Sequence, residues 1–316
     1  MENSIHFKLS PIVAGTMSYG KGGKDLSAKE VTALIRQTFE TGITSFDLAD
    51  IYGDYTTESL FGEGWKNAGI EREKVQFITK CGIKAPQNTR PEYKVKHYDT
   101  SRDHIIWSAE NSLKNIQTDY LDLLLIHRPD PLMEPDEVAR AFSELQASGK
   151  VRYFGVSNFS AAQIIFLQKS LDQKLAVNQM QLSLLHHHMI NEGIMVNTTS
   201  GQYAGLAGTM DYCRKHNILL QAWSPVAGGR LINPKGDTNN PTNKVAQEIR
   251  KMAQQKQTSP EAIALAWLLR HPAQIQPVVG TTRLGRLEAS LPAPQIELTR
   301  SEWYRLFEKA RGSVIP

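Results

Sequence analysis

The chain has 316 residues, of which 41% are hydrophobic and 22% are charged, and its formal net charge at pH 7 is +4. These values are ordinary for a globular protein with a large core, and no basic block indicates a nucleic-acid or membrane partner. The chain has two cysteines, Cys81 and Cys213, without C-x-x-C spacing. This count argues against a disulfide scaffold and against a thiolate zinc site.

No segment of the sequence indicates secretion or membrane insertion. The first residues, MENSIHFKLSPIVAG, lack the charged and apolar regions of a secretory signal. The best apolar run, AIALAWLL, is too short to span a bilayer. We therefore expect a soluble, cytoplasmic protein.

Eight short apolar runs recur along the chain and predict eight strands. Most are rich in β-branched and aliphatic residues without clean alternation, which is typical of strands buried on both faces. The runs begin at Ile12, Thr44, Val75, Tyr120, Val151, Leu175, Leu219 and Pro277.

Segments with helical spacing and capping signals lie between these runs. Ser27 and Glu30 form a capping-box pattern, and Pro135 and Pro260 stand near the starts of two further helices. Strands and helices alternate without a linker rich in proline, glycine or serine. Eight such units favour a (β/α)8 TIM barrel over an open doubly wound sheet, and we expect residues 1–316 to form a single domain.

Two longer segments interrupt the alternation, residues 83–100 and residues 185–204. Each follows a predicted strand, on the C-terminal face that builds active sites in barrels. We therefore expect active-site loops at these two places. The second loop contains the consecutive histidines His186, His187 and His188, which do not match a zinc motif, so we expect a polar rim and no metal.

Four polar side chains stand at the ends of successive predicted strands. Asp47 is near the end of the second strand, with Tyr52 just beyond it, while Lys80 is near the end of the third and His127 ends the fourth. Taken singly, they have ordinary explanations: a turn-forming carboxylate, a packed ring, a solvated ammonium and a core imidazole. Because a barrel brings neighbouring strand ends together, we expect the four to share one rim.

The chemistry expected of these four residues is polarisation and protonation of a carbonyl group. A phenol has a pKa of about 10, and an ammonium beside it stabilises the phenolate, so Lys80 makes Tyr52 a better acid. Asp47 neutralises and orients Lys80, because an unpaired buried charge is costly. His127 hydrogen-bonds a substrate oxygen or helps relay its proton. None of the four supplies reducing electrons, so a cofactor has to bring them.

The sequence resembles the aldo-keto reductase family. The motifs FDLADIYG, ITKCG, LLLIHRP, VRYFGVSNF and QAWSPVAGG occur in the family's order and cover nearly the whole chain. The resemblance is strongest to bacterial general oxidoreductases related to potassium-channel β subunits. It implies a (β/α)8 barrel that reduces an aldehyde or ketone to an alcohol by hydride transfer from nicotinamide C4, usually of NADPH. Asp47, Tyr52, Lys80 and His127 match the catalytic tetrad, with Tyr52 as the general acid.

The resemblance also implies a set of cofactor contacts. No G-x-G-x-x-G motif follows a strand, which argues against a Rossmann site, and the family instead binds its cofactor extended across the barrel mouth. Ser157, Asn158 and Gln179 are expected to hold the nicotinamide carboxamide, which needs donors and acceptors, while Trp223 stacks on its ring. The other implied contacts are Gly15, Thr16, Met17, Asp47, Ser224, Pro225, Val226, Gly228, Gly229, Arg230, Gly280, Thr281, Thr282, Arg283 and Arg286, with the backbone N–H groups of Gly228 and Gly229 cradling the pyrophosphate.

The segment after the last predicted strand departs from the family's pattern. Gly280 stands where many relatives have a cation, and Ala289 and Ser290 stand where Glu-Asn is usual. Arg286, helped by Arg283, is expected to pair with the 2′-phosphate of NADPH. The departures leave NADH as the less favoured alternative.

A second departure is Cys81, at a position where several relatives have an aromatic residue. The smaller side chain predicts a roomier pocket, and we interpret Cys81 as a small buried residue in preference to an oxidisable thiol.

The sequence thus predicts an NADP-dependent reductase of a small aldehyde or ketone, as a monomer or small homo-oligomer. Its alternative is a redox-sensing regulatory subunit that binds NADPH and turns over slowly, which the channel-subunit resemblance motivates. A third interpretation is a barrel hydrolase that uses Asp47 with Asp50 or Glu58 as a carboxylate pair. It leaves Lys80 and Trp223 unexplained. The physiological substrate is not indicated.

Overall fold

The computed structural model of the protein describes residues 9–196, 208–236 and 240–316. The strands are β1 (Val13–Gly15), β2 (Ser45–Asp47), β3 (Gln76–Cys81), β4 (Ile83–Lys84), β5 (His97–Tyr98), β6 (Leu121–Ile126), β7 (Val151–Ser157), β8 (Leu175–Gln181), β9 (Leu219–Trp223) and β10 (Gln276–Gly280). The α-helices are α1 (Ala28–Glu40), α2 (Tyr52–Tyr55), α3 (Thr57–Ala68), α4 (Arg102–Ile116), α5 (Pro135–Ala147), α6 (Ala161–Gln168), α7 (His188–Ile194), α8 (Thr209–Lys215), α9 (Pro241–Gln255), α10 (Pro260–Leu269), α11 (Leu284–Glu288) and α12 (Arg300–Arg311).

Eight of the strands form a closed parallel barrel in the order β1-β10-β9-β8-β7-β6-β3-β2. This architecture, with helices between the strands, confirms the (β/α)8 barrel predicted from the sequence. Each of the eight predicted apolar runs overlaps one barrel strand, and β10 begins one residue earlier than predicted. The capping predictions are also confirmed: Ser27 and Glu30 form a capping box on α1, and Pro135 and Pro260 are the first residues of α5 and α10.

Two compact units can be distinguished within the fold. The first extends to Asn178 and includes Gly280–Leu284, and the second comprises Gln179–Val279 and Gly285–Pro316. The assignment of residues 1–316 to a single domain stays a prediction. None of the helices in the described part of the chain is both long and apolar enough to cross a membrane.

In the first unit, strand alternation decides which side chains face the helices. Phe46 on β2 pairs with Phe77 on β3, and both rings contact Phe61 on α3, with ring centroids 5.4 Å apart in each case. Because successive strand side chains point to opposite faces, Asp47 and Lys80 lie on the face turned away from α3. The aromatic cluster therefore fixes the register that brings these two charged residues together.

In the second unit, α10 and α12 are joined by a pair of stacked indole rings. The ring centroids of Trp267 and Trp303 lie 5.1 Å apart with an interplanar angle of 11°. Trp303 Nε1 donates to the Trp267 carbonyl at 2.8 Å, and Trp267 Nε1 donates to the Trp303 carbonyl at 3.3 Å. Stacking of the buried Trp267 ring on the partly exposed Trp303 ring, with both N–H groups satisfied, stabilises this helix pair.

The segment 83–100, predicted as a loop, contains a small antiparallel hairpin. Ile83 pairs with Tyr98 and Lys84 pairs with His97. Two-residue strands are too short to show a period of two in the sequence, so this hairpin was not predicted. In the other predicted loop, residues 188–194 form α7, and residues 197–204 lie outside the described residues.

Candidate active site

The predicted tetrad is assembled in the first unit around the ammonium group of Lys80. The Lys80 side chain is fully buried, and its Nζ lies 2.8 Å from Asp47 Oδ2 and 2.8 Å from Asp47 Oδ1. Nζ also donates to the Leu48 carbonyl at 2.7 Å and to Tyr52 Oη at 3.1 Å. An ammonium has three donors, so these three acceptors satisfy it completely.

The charge on Lys80 is maintained by its partners. Burial alone opposes that charge, but the Asp47 carboxylate and the Tyr52 oxygen outweigh it and raise the pKa of Lys80 above its ordinary value. Transfer of a charge from water into the protein interior costs free energy unless an opposite charge and hydrogen bonds compensate it. Asp47, which is 3% exposed, provides that compensation.

Tyr52 keeps its proton at neutral pH. Burial raises the pKa of Tyr52, and Lys80 opposes that rise without cancelling it. The expected effect of Lys80 is therefore present, although the net shift is upward. Because an ammonium is only a donor, Tyr52 Oη accepts the hydrogen bond from Lys80, and its own O–H is left to donate elsewhere.

A left-handed turn follows Tyr52 directly. Gly53, Asp54 and Tyr55 have φ angles of 59°, 60° and 60°. A side chain at Gly53 would place Cβ 2.2 Å from Thr57 Oγ1, so glycine is required there by the close approach as well as by φ. Strained backbone of this kind persists where the surrounding contacts hold it.

Hydrogen bonds of Tyr55 connect this turn to the β4–β5 hairpin. Its phenol donates to the Ile83 carbonyl at 3.3 Å and accepts from the Ala85 amide at 3.0 Å. Thr89 Oγ1 donates to the Asp54 carbonyl at 2.6 Å. The sequence analysis missed this role, because nothing in the spacing separates Tyr55 from a packed surface ring.

His127 follows β6 directly and lies beside Tyr52, with ring centroids 6.0 Å apart and a T-shaped arrangement. Burial holds the pKa of His127 well below its ordinary value, and the cations Lys80, Arg128 and Lys96 act in the same direction. The imidazole is therefore neutral at pH 7. Its Nδ1 is buried and has no hydrogen-bond partner among the described residues.

Two further carboxyl groups lie on the helix side of β3. Glu58 on α3 accepts from Thr79 Oγ1 at 2.5 Å and from Ser112 Oγ at 3.0 Å, and Asp50 accepts from Ser108 Oγ at 2.7 Å. The hydrolase interpretation is disfavoured by these contacts. Asp47 is already paired with Lys80, and the other two carboxyls are held by hydroxyl groups of β3 and α4.

Some of the predicted cofactor residues of the first unit are held in position by the protein. Asn158 has a φ of 64°, and its Nδ2 donates to the His127 carbonyl at 3.2 Å and to Ser157 Oγ at 2.8 Å. Thr16 Oγ1 donates to the Asp47 carbonyl at 3.0 Å, whereas Met17 is 60% exposed. Ser157 and Asn158 thus lie at the end of β7, next to His127 at the end of β6.

The predicted cofactor residues of the second unit lie along β8 and the turn after β9. Gln179 Nε2 donates to Gln221 Oε1 at 3.0 Å, and Trp223, the last residue of β9, is partly exposed. In the following turn, Gly228 and Gly229 have φ angles of 65° and 85°, and a Cβ built at either would meet nothing within 4 Å. The Gly229 amide already donates to the Val226 carbonyl at 3.0 Å, so an anion there would share that donor.

Residues around the end of β10 are largely exposed. Gly280, Arg283 and Arg286 are exposed to solvent, and the Arg283 amide donates to Thr281 Oγ1 at 3.2 Å. Ser290 Oγ, at one of the two departures from the family's pattern, donates to the Arg286 carbonyl at 2.9 Å.

The other predictions concern Cys81 and the three histidines. Cys81 is buried, and burial raises the pKa of its thiol well above the ordinary value, which disfavours the thiolate needed for oxidation. His187 Nδ1 lies 3.0 Å from the Leu184 carbonyl, and burial lowers the pKa of both His186 and His187. No group of three or more potential metal ligands is found within residues 9–196, 208–236 and 240–316.

Comparison with known proteins shows the family of this chain. Residues 11–311 match the model of the aldo/keto reductase family. The chain is 41% identical to oxidoreductase YdhF of Escherichia coli (strain K12) and 40% identical to the uncharacterized oxidoreductase YcsN of Bacillus subtilis (strain 168), covering 92% of this chain and 91% of the relative in both cases. It is 37% identical to a 6-dehydroglucose reductase of Agrobacterium fabrum, over 99% of this chain and 98% of the relative.

Among solved structures, the crystal structure of the thermostable aldo-keto reductase Tm1743 with the inhibitor epalrestat has the same fold. Its TM-score is 0.75 at 24% identity, with 98% of each chain covered. The protein described here belongs to the aldo/keto reductase family. It is an oxidoreductase that reduces carbonyl groups, and the family to which it belongs depends on a nicotinamide cofactor and acts on small molecules.

Proposed function

We propose that the protein reduces an aldehyde or ketone to an alcohol with NADPH, and that Tyr52 is the general acid. The observation that supports this role is the hydrogen bond from Lys80 Nζ to Tyr52 Oη, at 3.1 Å. It occupies an acceptor position on the phenol and leaves the phenolic proton to be donated to the substrate. Positioned proton donors of this kind contribute about 10²–10⁴-fold to rate.

Tyr52 transfers its proton to the carbonyl oxygen as negative charge develops there. When bound, the nicotinamide supplies a hydride from C4 to the carbonyl carbon, so the substrate gains one hydride and one proton and becomes the alcohol. The phenolate left on Tyr52 is stabilised by the ammonium of Lys80, which Asp47 holds at 2.8 Å. Preorganised charge in a buried site stabilises a developing charge without reorganisation.

His127 orients the substrate as a neutral hydrogen-bonding group. Its pKa is held well below the ordinary value by burial and by nearby cations, so an imidazolium does not compete with Tyr52 as the acid. A neutral imidazole has one N–H donor, which can stabilise the carbonyl oxygen next to the phenol. This division of roles makes Tyr52 the proton donor and His127 the orienting group.

The donor sets of this chain fit a nicotinamide dinucleotide. Ser157 and Asn158 in the first unit and Gln179 in the second carry the hydroxyl and amide groups that a carboxamide requires, and Trp223 offers an aromatic face. The open turn at Gly228 and Gly229 leaves space for a close approach of phosphate oxygens to the backbone. Arg286 and Arg283 supply exposed guanidinium groups for a 2′-phosphate, which is why we propose NADPH over NADH.

The relatives suggest the first substrates to test. Two of them, from Agrobacterium fabrum and Novosphingobium aromaticivorans, are named 6-dehydroglucose reductase and are 37% and 32% identical to this chain. We propose that sugar-derived aldehydes belong in the initial screen. No described residue adds support to the regulatory-subunit alternative. The cytoplasmic location and the monomer or small homo-oligomer stay predictions.

Cofactor binding and turnover test the proposal together. We expect NADPH to quench the fluorescence of the chain's five tryptophans at lower concentration than NADH. We also expect purified protein to oxidise NADPH when 6-dehydroglucose or a simple aldehyde is added. Equal affinity for both cofactors would overturn the NADPH preference alone. Absence of binding to either cofactor would overturn the proposed function.

A further inference from the structure

The Asp50 carboxyl group lies beside the tetrad, and the reaction described above does not use it. Asp50 stands between β2 and Tyr52, and its amide donates to the Lys80 carbonyl at 3.1 Å. The Tyr52 amide donates to the Ala49 carbonyl at 3.1 Å, which ties the two residues into one turn. The charge on Asp50 acts electrostatically on the Tyr52 phenol and on the Lys80 ammonium.

The surroundings of the Asp50 side chain disfavour its charge. Ser108 Oγ on α4 donates to its Oδ2 at 2.7 Å, and its Oδ1 is buried with no hydrogen-bond partner among the described residues. Glu58, a buried carboxyl on α3, also disfavours a charge on Asp50, and Lys80 on β3 is the cation that opposes both effects. The titratable and charged groups that act on Asp50, or on which it acts, are Glu58, Lys80, Cys81, Tyr52 and Tyr55.

These surroundings place the ionisation of Asp50 in the physiological range. Burial raises the pKa of Asp50 to about 7, and Glu58 acts in the same direction, whereas hydrogen bonds from Ser108 and the Ile51 backbone and the charge on Lys80 act against it. The pKa of Tyr52 is raised, chiefly by burial, and that of His127 is lowered well below its ordinary value, also by burial. Near pH 7 neither of those two side chains changes charge, whereas Asp50 does.

We propose that Asp50 is a positioning residue whose charge controls proton donation by Tyr52: the neutral carboxyl permits donation, and the carboxylate opposes it. This inference rests on the proposed role of Tyr52 as general acid. The physical reason is that reduction leaves negative charge on the phenol, and a second negative charge held nearby destabilises that product. Carbonyl reduction is therefore favoured below neutral pH and slowed above it.

The experiment measures single-turnover reduction by the NADPH-bound protein from pH 5.5 to 8.5, a range of roughly one and a half units on each side of neutrality. We expect the wild-type rate to fall by roughly tenfold as pH rises through about 7. Asp50→Asn keeps the shape of the side chain and removes its titration, so the fall disappears. Ser108→Ala removes the hydrogen bond that favours the carboxylate, so the fall moves to higher pH.

The matched control is Asp122→Asn. Asp122 is buried, accepts from the Phe77 amide at 2.9 Å and pairs with Arg72 at 2.6 Å, but it is the second residue of β6, at the opposite end of the strand from His127. Loss of a buried carboxyl there lowers stability and leaves the pH at which the rate falls unchanged. Disappearance of the fall in this control, as in Asp50→Asn, would overturn the proposal.

A spectroscopic measurement separates this proposal from the proposed function. Infrared difference spectra of the purified full-length protein detect a protonated carboxyl directly, whether or not a substrate is known. We expect a carboxylic-acid band that titrates near neutrality in the wild type and is missing in Asp50→Asn. A band unchanged by Asp50→Asn and removed by Glu58→Gln would overturn the role of Asp50. Wild-type turnover in Tyr52→Phe would overturn the proposed function while leaving the assignment of the titrating carboxyl intact.

Discussion

Charged residues at the ends of β2 and β3 are buried, whereas those in the segment that follows β10 are exposed to solvent. Lys80 is fully buried, and Asp47, Leu48 and Tyr52 accept all its hydrogen bonds. Arg283 and Arg286 are exposed and carry their charge in water. The first region is assembled by the protein itself, whereas the second offers groups that a ligand can complete.

This difference separates two tasks of a reductase. Chemistry requires groups held within a narrow geometry, and burial with full hydrogen bonding supplies that rigidity. Recognition of the charged end of a cofactor requires accessible cations. An exposed cation stays hydrated, so it costs the folded protein little free energy. Substitutions in the two regions should therefore have different effects. At the ends of β2 and β3 they should lower stability and rate, and in the segment after β10 they should weaken cofactor binding.

The largest effect should come from Lys80→Met. This change removes the ammonium that compensates the buried Asp47 carboxylate, which costs about 3–5 kcal/mol of folding stability, and it removes the stabilisation of the Tyr52 phenolate. We expect turnover to fall by about 10³-fold or more. Urea unfolding and NADPH oxidation measure the two losses.

The control for this prediction is Lys74→Met. Lys74 pairs with Glu71 at 2.9 Å, but the two side chains are 56% and 70% exposed, so the change should cost less than about 1 kcal/mol. Equal destabilisation in the two variants would contradict the distinction between the regions. Adding Asp47→Asn to Lys80→Met should recover part of the stability without recovering turnover.

A smaller and more selective effect is expected from Arg286→Ala. The dissociation constant for NADPH should rise about tenfold, because one charge-assisted contact with the 2′-phosphate is lost. Affinity for NADH should stay the same, as should the unfolding midpoint. Fluorescence titrations with both cofactors measure this, with Arg300→Ala as the control for loss of an exposed arginine. Equal weakening of both cofactors would rule out a 2′-phosphate contact.

The smallest effect is expected from Tyr55→Phe. The variant loses the hydrogen bonds to Ile83 and Ala85 that hold the β4–β5 hairpin against the turn after Tyr52. Each such bond contributes about 1 kcal/mol, so we expect a loss of about 1–2 kcal/mol and a rise of a few-fold in KM. Tyr304→Phe, at a partly exposed ring on α12, serves as the control. A change in turnover as large as that of Lys80→Met would contradict a purely supporting role.

The sequence predicted the barrel and the tetrad because both depend on regular patterns. Eight apolar runs alternating with capped helices define the fold, and strand parity places Asp47 and Lys80 on the same face. The two residues are separated by 33 positions in the chain, yet their contact follows from strand pairing of Phe46 with Phe77.

Other features have no such pattern. The β4–β5 hairpin and the left-handed turn at Gly53–Tyr55 depend on the contacts that Tyr55 and Thr89 make, which no local spacing encodes. The properties of Asp50 depend on burial against Glu58 and Ser108, which come from two different helices. The sequence alone does not indicate whether a carboxyl group in a loop is protonated or charged.

The measurement that tests the central claim most directly is turnover of Tyr52→Phe at saturating NADPH. Phenylalanine keeps the ring beside His127 and removes only the hydroxyl to which Lys80 donates. We expect turnover to fall by about 10²–10⁴-fold while the dissociation constant for NADPH stays close to that of the wild type. Turnover within a few-fold of the wild type would show that another group donates the proton, and would contradict the role of Tyr52.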